Sequence, residues 1–173
     1  MSGSPFEQTV LPHLDAAYNL ARWLTRSDQD AEDVVQDAFV RALRFFSGFR
    51  GGDARAWLLA IVRNTSYDFL RRHRPQEVTE AFDEEIHSTA VESLTPEAQL
   101  MRRADQAMVR KALEQLPLPW REVIVLREVE GLSYKQIAEV SDIRIGTVMS
   151  RLARARARLQ QLVAGDPIKE IAE

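Results

Sequence analysis

Arginine and hydroxyl side chains recur along the last strongly periodic segment of the chain, residues 144–158. A guanidinium can donate two parallel hydrogen bonds to a phosphate or to guanine, and hydroxyl groups can bond to either. This chemistry binds nucleic acid, although a solvated surface helix would also explain the arginines. The candidate DNA contacts are Arg144, Thr147, Ser150, Arg151, Arg154 and Arg158.

A carboxylate-rich segment covers residues 28–37, with five Asp or Glu and no basic residue. Acidic residues stabilise the start of a helix, so a solvated helix face is one interpretation. A basic protein partner is another, because complementary charges steer association. A carboxylate metal site is a weaker alternative, since His13, His73 and His87 are scattered. The candidate partner-binding residues are Asp30, Glu32, Asp33, Gln36 and Asp37.

A glycine-rich turn at 48–52 lies within residues 41–74, which hold eight Arg against two Asp. Opening DNA requires space for a flipped base, a polar edge to recognise it and cations for the exposed strand. For Phe49 and Tyr67, base stacking and core packing both remain open, whereas Trp57 is expected in the core. The candidate DNA contacts here are Arg50, Gly51, Gly52, Arg63, Asn64, Tyr67, Arg71, Arg72 and Arg74.

Residues arranged for covalent catalysis are missing from the sequence. There is no Ser/His/Asp pattern, no phosphate-binding glycine loop and no paired acid and base. With no cysteine, disulfides and thiolate metal sites are excluded as well. We therefore expect no catalytic residue, no metal site, no cofactor and no small-molecule substrate.

The elements that position these residues are predicted to be helices throughout. Apolar residues repeat at helical spacing, and Ser27, Asp53 and Ser133 are expected N-caps. The apolar stripes include Leu43 in the second helix and Ile145 in the last. The predicted helices cover 6–25, 28–46, 54–73, 97–116, 119–129, 133–140 and 145–163.

The last two predicted helices, separated by a short turn at 141–144, form a helix-turn-helix pattern. Ala138 supplies the small side chain that two steeply crossed helices need. In such a motif the second helix enters the major groove from its N-terminal end. The pattern predicts DNA binding by residues 145–158.

The composition is typical of a globular protein, and acidic and basic residues are concentrated in different segments. Hydrophobic residues make up 45% of the 173 residues, the net charge is −3, and residues 76–99 hold seven carboxylates and no Lys or Arg. We predict an all-α protein with domains at 1–75 and 97–165, a flexible acidic linker at 76–96 that could shield the arginines, and a tail at 166–173. Without a signal-like start or a long apolar run, it is expected to be soluble and cytoplasmic.

Several segments resemble the extracytoplasmic-function group of bacterial sigma-70 factors. Residues 30–43 (DAEDVVQDAFVRAL) are similar to the polymerase-binding helix of the family's second domain. Residues 49–64 (FRGGDARAWLLAIVRN) are similar to its −10 segment. Three further segments are similar to the family's promoter-binding fourth domain. They are 116–127 (LPLPWREVIVLR), 130–139 (EGLSYKQIAE) and 145–156 (IGTVMSRLARAR).

The resemblance implies a sigma factor that binds core RNA polymerase, recognises −35 and −10 promoter elements and is controlled by an anti-sigma protein. The sequence departs from the family at Met149 and Ala153, where Arg, Lys or an aromatic residue is common. One rival is a response-regulator-like DNA binder, which would need an α/β domain before the helix-turn-helix. Another is a helical enzyme that uses the carboxylates of 28–37 with a divalent metal.

Overall fold

In the computed structural model, residues 3–80 and 106–164 are described, and every regular element in these ranges is helical. Short 3-10 turns cover Leu11–His13 and Phe46–Gly48, and a π-helical turn covers Val125–Val129. The all-α prediction is confirmed. The helices are α1 (Pro5–Val10), α2 (Leu14–Thr25), α3 (Asp28–Phe45), α4 (Ala54–His73), α5 (75–80), α6 (Gln106–Gln115), α7 (Leu118–Ile124), α8 (Tyr134–Ser141) and α9 (Ile145–Ala164).

Three helices begin at the predicted caps. The side chains of Ser27, Asp53 and Ser133 each accept a hydrogen bond from the backbone N–H three residues further on. Gln136 returns the contact, because its side-chain oxygen accepts from the Ser133 N–H at 2.8 Å. Such caps stabilise a helix by about 1 kcal/mol each, which explains why these starts could be predicted.

Proline breaks account for two differences from the expected helices. The helix predicted over 6–25 is interrupted at Leu11–His13, where Pro12 lacks the N–H that a continuous helix needs. Pro75 begins a further helix, α5, in the segment assigned to the linker from residue 76 onward. The rest of that linker, the first part of the helix predicted over 97–116 and the tail at 166–173 lie outside the described residues.

The N-terminal group of helices buries its core among α2, α3 and α4. From α3 the core takes mainly alanines, which allow close helix packing, whereas α2 and α4 supply leucines. Leu43, expected on the buried stripe, is instead exposed at the surface of α3. The buried residues of this core include Leu20, Leu24, Ala31, Ala38, Ala42, Leu58, Leu59, Val62 and Leu70.

The C-terminal group consists of α6 to α9 and contains the predicted helix-turn-helix. Asp142 ends α8 in the left-handed conformation (φ 54°), so that the chain turns sharply into α9. Ile137, Val148 and Leu152 are buried between the two helices, as predicted. Ile145, also expected in that core, is exposed.

The two groups pack directly on each other. Helix α4 lies against α8, and α2 lies against α7. We refer to this packing as the closed arrangement. No helix within residues 3–80 or 106–164 is both long and apolar enough to span a bilayer.

Candidate nucleic-acid interface

Helix α9 turns one face inward and leaves the opposite face open. Val148, Leu152, Ala155 and Leu159 are buried on the inner face. Among the predicted contacts, Arg144 and Ser150 are exposed, and Thr147, Arg154 and Arg158 are half-buried. The Ser150 hydroxyl donates to the Thr147 carbonyl at 3.1 Å, which leaves its oxygen able to accept a further bond.

Arg151, also predicted to contact DNA, lies on the inner face of α9. It is only 9% exposed, and its charge stabilises the buried Glu122 carboxylate. Of the six residues predicted to contact DNA in this segment, Arg151 is therefore buried and the other five are exposed or half-buried.

The glycine turn before α4 is open to solvent at Arg50, Gly51 and Gly52. Gly51 and Gly52 have φ values of 88° and 89°, in the region that only glycine adopts easily. The Asp53 side chain caps α4 and also accepts a hydrogen bond from Nε2 of Gln136 on α8, at 2.5 Å. The backbone N–H of Ala56, followed by this amide, lowers the pKa of Asp53 against the opposing effect of burial.

Further along α4, Arg63 and Tyr67 are engaged by Glu122 of α7. Nε of Arg63 lies 2.5 Å from Oε1 of Glu122, and the Tyr67 hydroxyl donates to Oε2 at 3.2 Å. The guanidinium of Arg63 also stacks over the Tyr67 ring, 3.7 Å from its centre. Tyr67 is almost completely buried, so in the closed arrangement it packs in the core rather than on a base.

The buried Glu122–Arg63–Tyr67 group has a defined charge balance. Burial raises the pKa of the Glu122 carboxyl, whereas Arg63 and then Arg151 lower it. Burial and the nearby carboxylate raise the pKa of Tyr67, which keeps its phenol protonated and able to donate. The Glu122 carboxylate thus occupies hydrogen-bond donors of both Arg63 and Tyr67.

Four further predicted residues lie on α4 or directly after it. Asn64, Arg71 and Arg72 are exposed, and Asn64 accepts from Nη1 of Arg63 at 3.2 Å. Arg74 is turned inward, where it donates to the Thr25 carbonyl at 2.6 Å and pairs with Asp30 at 3.5 Å. The α4 candidates therefore divide into an open set and a set held within the protein.

The acidic candidates of α3 divide in a similar way. Glu32, Asp33 and Gln36 are exposed. Asp30 is paired with Arg74, and Asp37 lies 3.4 Å from Arg41. Within residues 3–80 and 106–164 no three His, Cys, Asp or Glu side chains are grouped closely enough to hold a metal ion.

Two apolar residues on the outward face of α3 were missed by the sequence analysis. Val40 and Leu43 are 56% and 61% exposed, and they share the face of Asp33 and Gln36 because residues three, four and seven apart lie together on a helix. The sequence could have identified Val40 and Leu43 as surface residues, because they lie four or seven positions from Asp33 or Gln36. The helical periodicity of apolar residues in α3 instead placed Leu43 on the predicted buried stripe.

Arg121 is a third residue that the sequence analysis did not select. It is a buried residue of α7 and donates to the carbonyls of Trp23, Leu24 and Leu116 at 2.8, 3.1 and 2.7 Å. Burial lowers its pKa to about 10, which leaves it charged at neutral pH. Arg121 thus joins the C-terminal end of α2 to the C-terminal group of helices.

Two protein families match separate parts of the chain. The family described as Sigma-70 region 2 matches residues 9–76, and Sigma-70, region 4 matches residues 106–159. The first range contains α3 and the α4 turn, and the second contains the helix-turn-helix.

Curated relatives agree with these matches. The ECF RNA polymerase sigma factor SigE of Mycolicibacterium smegmatis is 33% identical over 92% of this chain, which spans 62% of that protein. The RNA polymerase sigma-H factor of Pseudomonas aeruginosa is 36% identical over 90% of the chain and 84% of its own length. The ECF RNA polymerase sigma-E factor of Escherichia coli K12 is 37% identical over 78% of the chain and 74% of its length.

Two solved structures have a similar fold. The sigma factor RpoE in complex with the anti-sigma factor NepR, from Bartonella quintana, has a TM-score of 0.68 and 32% identity, covering 93% of this chain and 98% of the other. CnrH in complex with the cytosolic domain of CnrY has a TM-score of 0.63 and 32% identity, covering 93% and 88%.

Proposed function

Because this chain belongs to the extracytoplasmic-function group of sigma-70 RNA polymerase sigma factors, we propose that it is a dissociable subunit that directs core RNA polymerase to promoters with −35 and −10 elements. It is a transcription initiation factor and not an enzyme. We assign polymerase binding and −10 recognition to a domain at 1–75, and −35 recognition to a domain at 97–165. A linker at 76–96 joins them, a tail follows at 166–173, and the proposed place of action is the cytoplasm.

The outward face of α3 is the observation that carries this proposal. Large apolar side chains are costly to leave in water, and a cluster of them beside charges is typical of a protein-binding surface. Val40 and Leu43 form that apolar part, and Asp33, Gln36 and Asp37 supply polar and acidic groups for a basic partner. Core polymerase is the proposed partner, with Asp30 and Glu32 at the edge of the contact.

Promoter DNA is the proposed partner of the open faces of α9 and of the turn before α4. For the −35 element we retain Arg144, Thr147, Ser150, Arg154 and Arg158, and we assign Arg151 to supporting the domain from inside. For the −10 element the exposed Arg50, Gly51, Gly52, Asn64, Arg71 and Arg72 are the accessible candidates. Arg63 and Tyr67 would become available only if the closed arrangement opens, whereas Arg74 is held within the N-terminal group by Thr25 and Asp30.

An anti-sigma protein is the proposed regulator. The similarity to RpoE extends over almost the whole of both chains, and RpoE is in complex with NepR in that structure. A protein that favours the closed arrangement would keep Arg63 and Tyr67 engaged with Glu122. Such a regulator would therefore keep these two proposed −10 residues from reaching DNA.

Co-purification with core RNA polymerase, followed by run-off transcription on a promoter library, tests the proposal. We expect a stable complex and transcripts that start at a defined distance from paired −35 and −10 sequences. Core polymerase alone on the same library is the control. If the chain neither binds core polymerase nor changes which promoters are transcribed, the proposed function is wrong.

A further inference from the structure

The outward face of α9 has small residues along its centre. A Cβ atom added at Gly146 would meet no atom within 4 Å, and Ser150 and Ala153 follow at the spacing that keeps residues on one helical face. A helix with small side chains along its centre can approach the floor of the major groove closely. Longer side chains at the flanks then determine which base edges are touched.

Met149 forms one flank of this face, and Arg154 forms the other. Met149 is 54% exposed although methionine is more often buried. Its thioether is a weak hydrogen-bond acceptor, so it has little to offer a polar base edge. The 5-methyl group of thymine is the apolar feature that the major groove presents.

We propose that Met149 packs on the 5-methyl group of a thymine in the −35 element, and that this contact makes the protein prefer thymine to cytosine at that base pair. The inference rests on the proposed function, because it needs α9 in the major groove. DNA is the occupant favoured by charge, since Arg144 precedes Met149 on the open side of the motif and Arg154 lies across the face from it. The unbranched, polarisable methionine side chain can adapt to a methyl group whose exact position varies.

Replacing thymine by deoxyuridine removes only the methyl group and leaves the hydrogen-bonding edges unchanged. The experiment is run-off transcription by holoenzyme assembled from core polymerase and the full chain, on a library-selected promoter in which each −35 thymine is replaced in turn. We expect one position, or two adjacent positions, at which deoxyuridine lowers transcription about fourfold, equivalent to about 0.8 kcal/mol for one buried methyl group. A 5-methylcytosine at the same position should recover part of the loss that cytosine causes.

Met149→Ala should transcribe the thymine and deoxyuridine promoters equally, at about the level of the wild-type protein on deoxyuridine. Met149→Leu keeps an apolar side chain and should retain the difference, which separates a methyl contact from a general effect on α9. Met108→Ala is the matched control, because Met108 is 50% exposed on α6 and should behave as wild type. Circular dichroism establishes that each variant keeps its helical content.

The proposed function and the Met149 contact can fail separately. Wild-type holoenzyme that transcribes these promoters but is indifferent to methyl removal overturns the Met149 proposal and leaves the proposed function intact. The same is true if Met149→Ala keeps the full thymine preference, because another residue would then make the contact. Absence of any promoter-specific transcription overturns the function itself, and the Met149 proposal with it.

Discussion

Arg151 and Arg154 are the same residue type three positions apart, yet α9 places them in different environments. Arg151 is 9% exposed and its charge acts on Glu122, whereas Arg154 lies at the edge of the open face. Residue type and rough spacing predicted a DNA contact for both. The direction of each side chain depends on which stripe of α9 is buried, and the structure resolves that difference.

Substitution of each arginine by alanine should separate the two roles. Arg151→Ala removes a cation beside a buried carboxylate and should lower the free energy of unfolding by about 1–3 kcal/mol. Arg154→Ala should change it by less than about 0.5 kcal/mol but strongly reduce transcription from −35-dependent promoters. Thermal unfolding and run-off transcription measure the two effects.

A different result would reverse the assignment of either residue. If Arg151→Ala keeps full stability but changes −35 preference, then α9 must turn that side chain toward DNA. If Arg154→Ala transcribes −35-containing promoters at the wild-type level, the outward face of α9 does not depend on Arg154 for recognition.

At the level of elements, helix starts were the most predictable feature. Ser27, Asp53 and Ser133 cap the helices that follow them through contacts spanning three residues, so the local sequence contains the whole signal. Leu43 and Ile145 show the limit of such reasoning, since both are apolar residues predicted in a core and both are exposed. Periodicity identifies an apolar stripe but does not say which of its members face a partner.

The outward face of α3 can be tested through its apolar and its charged residues. Val40→Ser with Leu43→Ser should weaken binding to core polymerase by about thirtyfold or more, because truncation of central interface residues costs about 2 kcal/mol or more. Asp33→Arg with Asp37→Arg should abolish binding while the helical content stays unchanged. Pull-down and titration with core polymerase measure both.

Asp15→Arg makes a suitable control for the charge reversals, because Asp15 is an exposed acid on α2. It should bind polymerase as the wild-type protein does. Wild-type affinity in both double variants of α3 would show that polymerase docks elsewhere.

The turn between α3 and α4 needs its glycines for shape, since Gly51 and Gly52 both have positive φ. A test of DNA recognition must therefore keep them and change Arg50 instead. We expect Arg50→Ala to alter which −10 bases are preferred in the promoter library, with −35 preference and polymerase binding retained. Gly51→Ala should mainly cost stability, about 1–2 kcal/mol, because alanine is strained in the left-handed region.

An unaltered −10 preference in Arg50→Ala would support the simpler interpretation of this segment as a turn capped by Asp53. Replacement of the whole turn by another sequence that keeps both glycines gives an independent check. Under the recognition hypothesis it changes the −10 preference, and under the turn hypothesis it does not.

At the scale of the whole molecule, the contacts that join the two groups of helices could not be predicted from the sequence. Arg63 meets Glu122 across 59 positions, and Arg121 reaches the Trp23 carbonyl across 98. Local sequence patterns contain no information about such pairs. The distribution of charge along the sequence suggested instead that the acidic linker shields the arginines. The described residues show α7 in contact with α4, whereas most of the linker lies outside them.

The closed arrangement has a direct test in the free protein. The chain contains no cysteine, so Gln29→Cys with Lys135→Cys places two labels on exposed sites of α3 and α8 without any background reaction. We expect a single short distance distribution in the free chain, measured by spin-label or fluorescence methods. Binding to core polymerase and promoter DNA should lengthen it, because the proposed −10 contact requires Arg63 to be released from Glu122.

Charge reversal at the buried pair shows whether that contact holds the arrangement together. Arg63→Glu would place two carboxylates where the guanidinium and Glu122 now meet at 2.5 Å, and breaking a buried pair costs about 3–5 kcal/mol. The free chain should therefore open and the label distance should lengthen, while Arg63→Glu with Glu122→Arg should recover part of the short distance. Arg72→Glu on the exposed side of α4 is the matched control and should leave the distance unchanged. A long, broad distribution already present in the wild-type chain, or a short one that persists in Arg63→Glu, would mean that the domains are not held together by this buried contact.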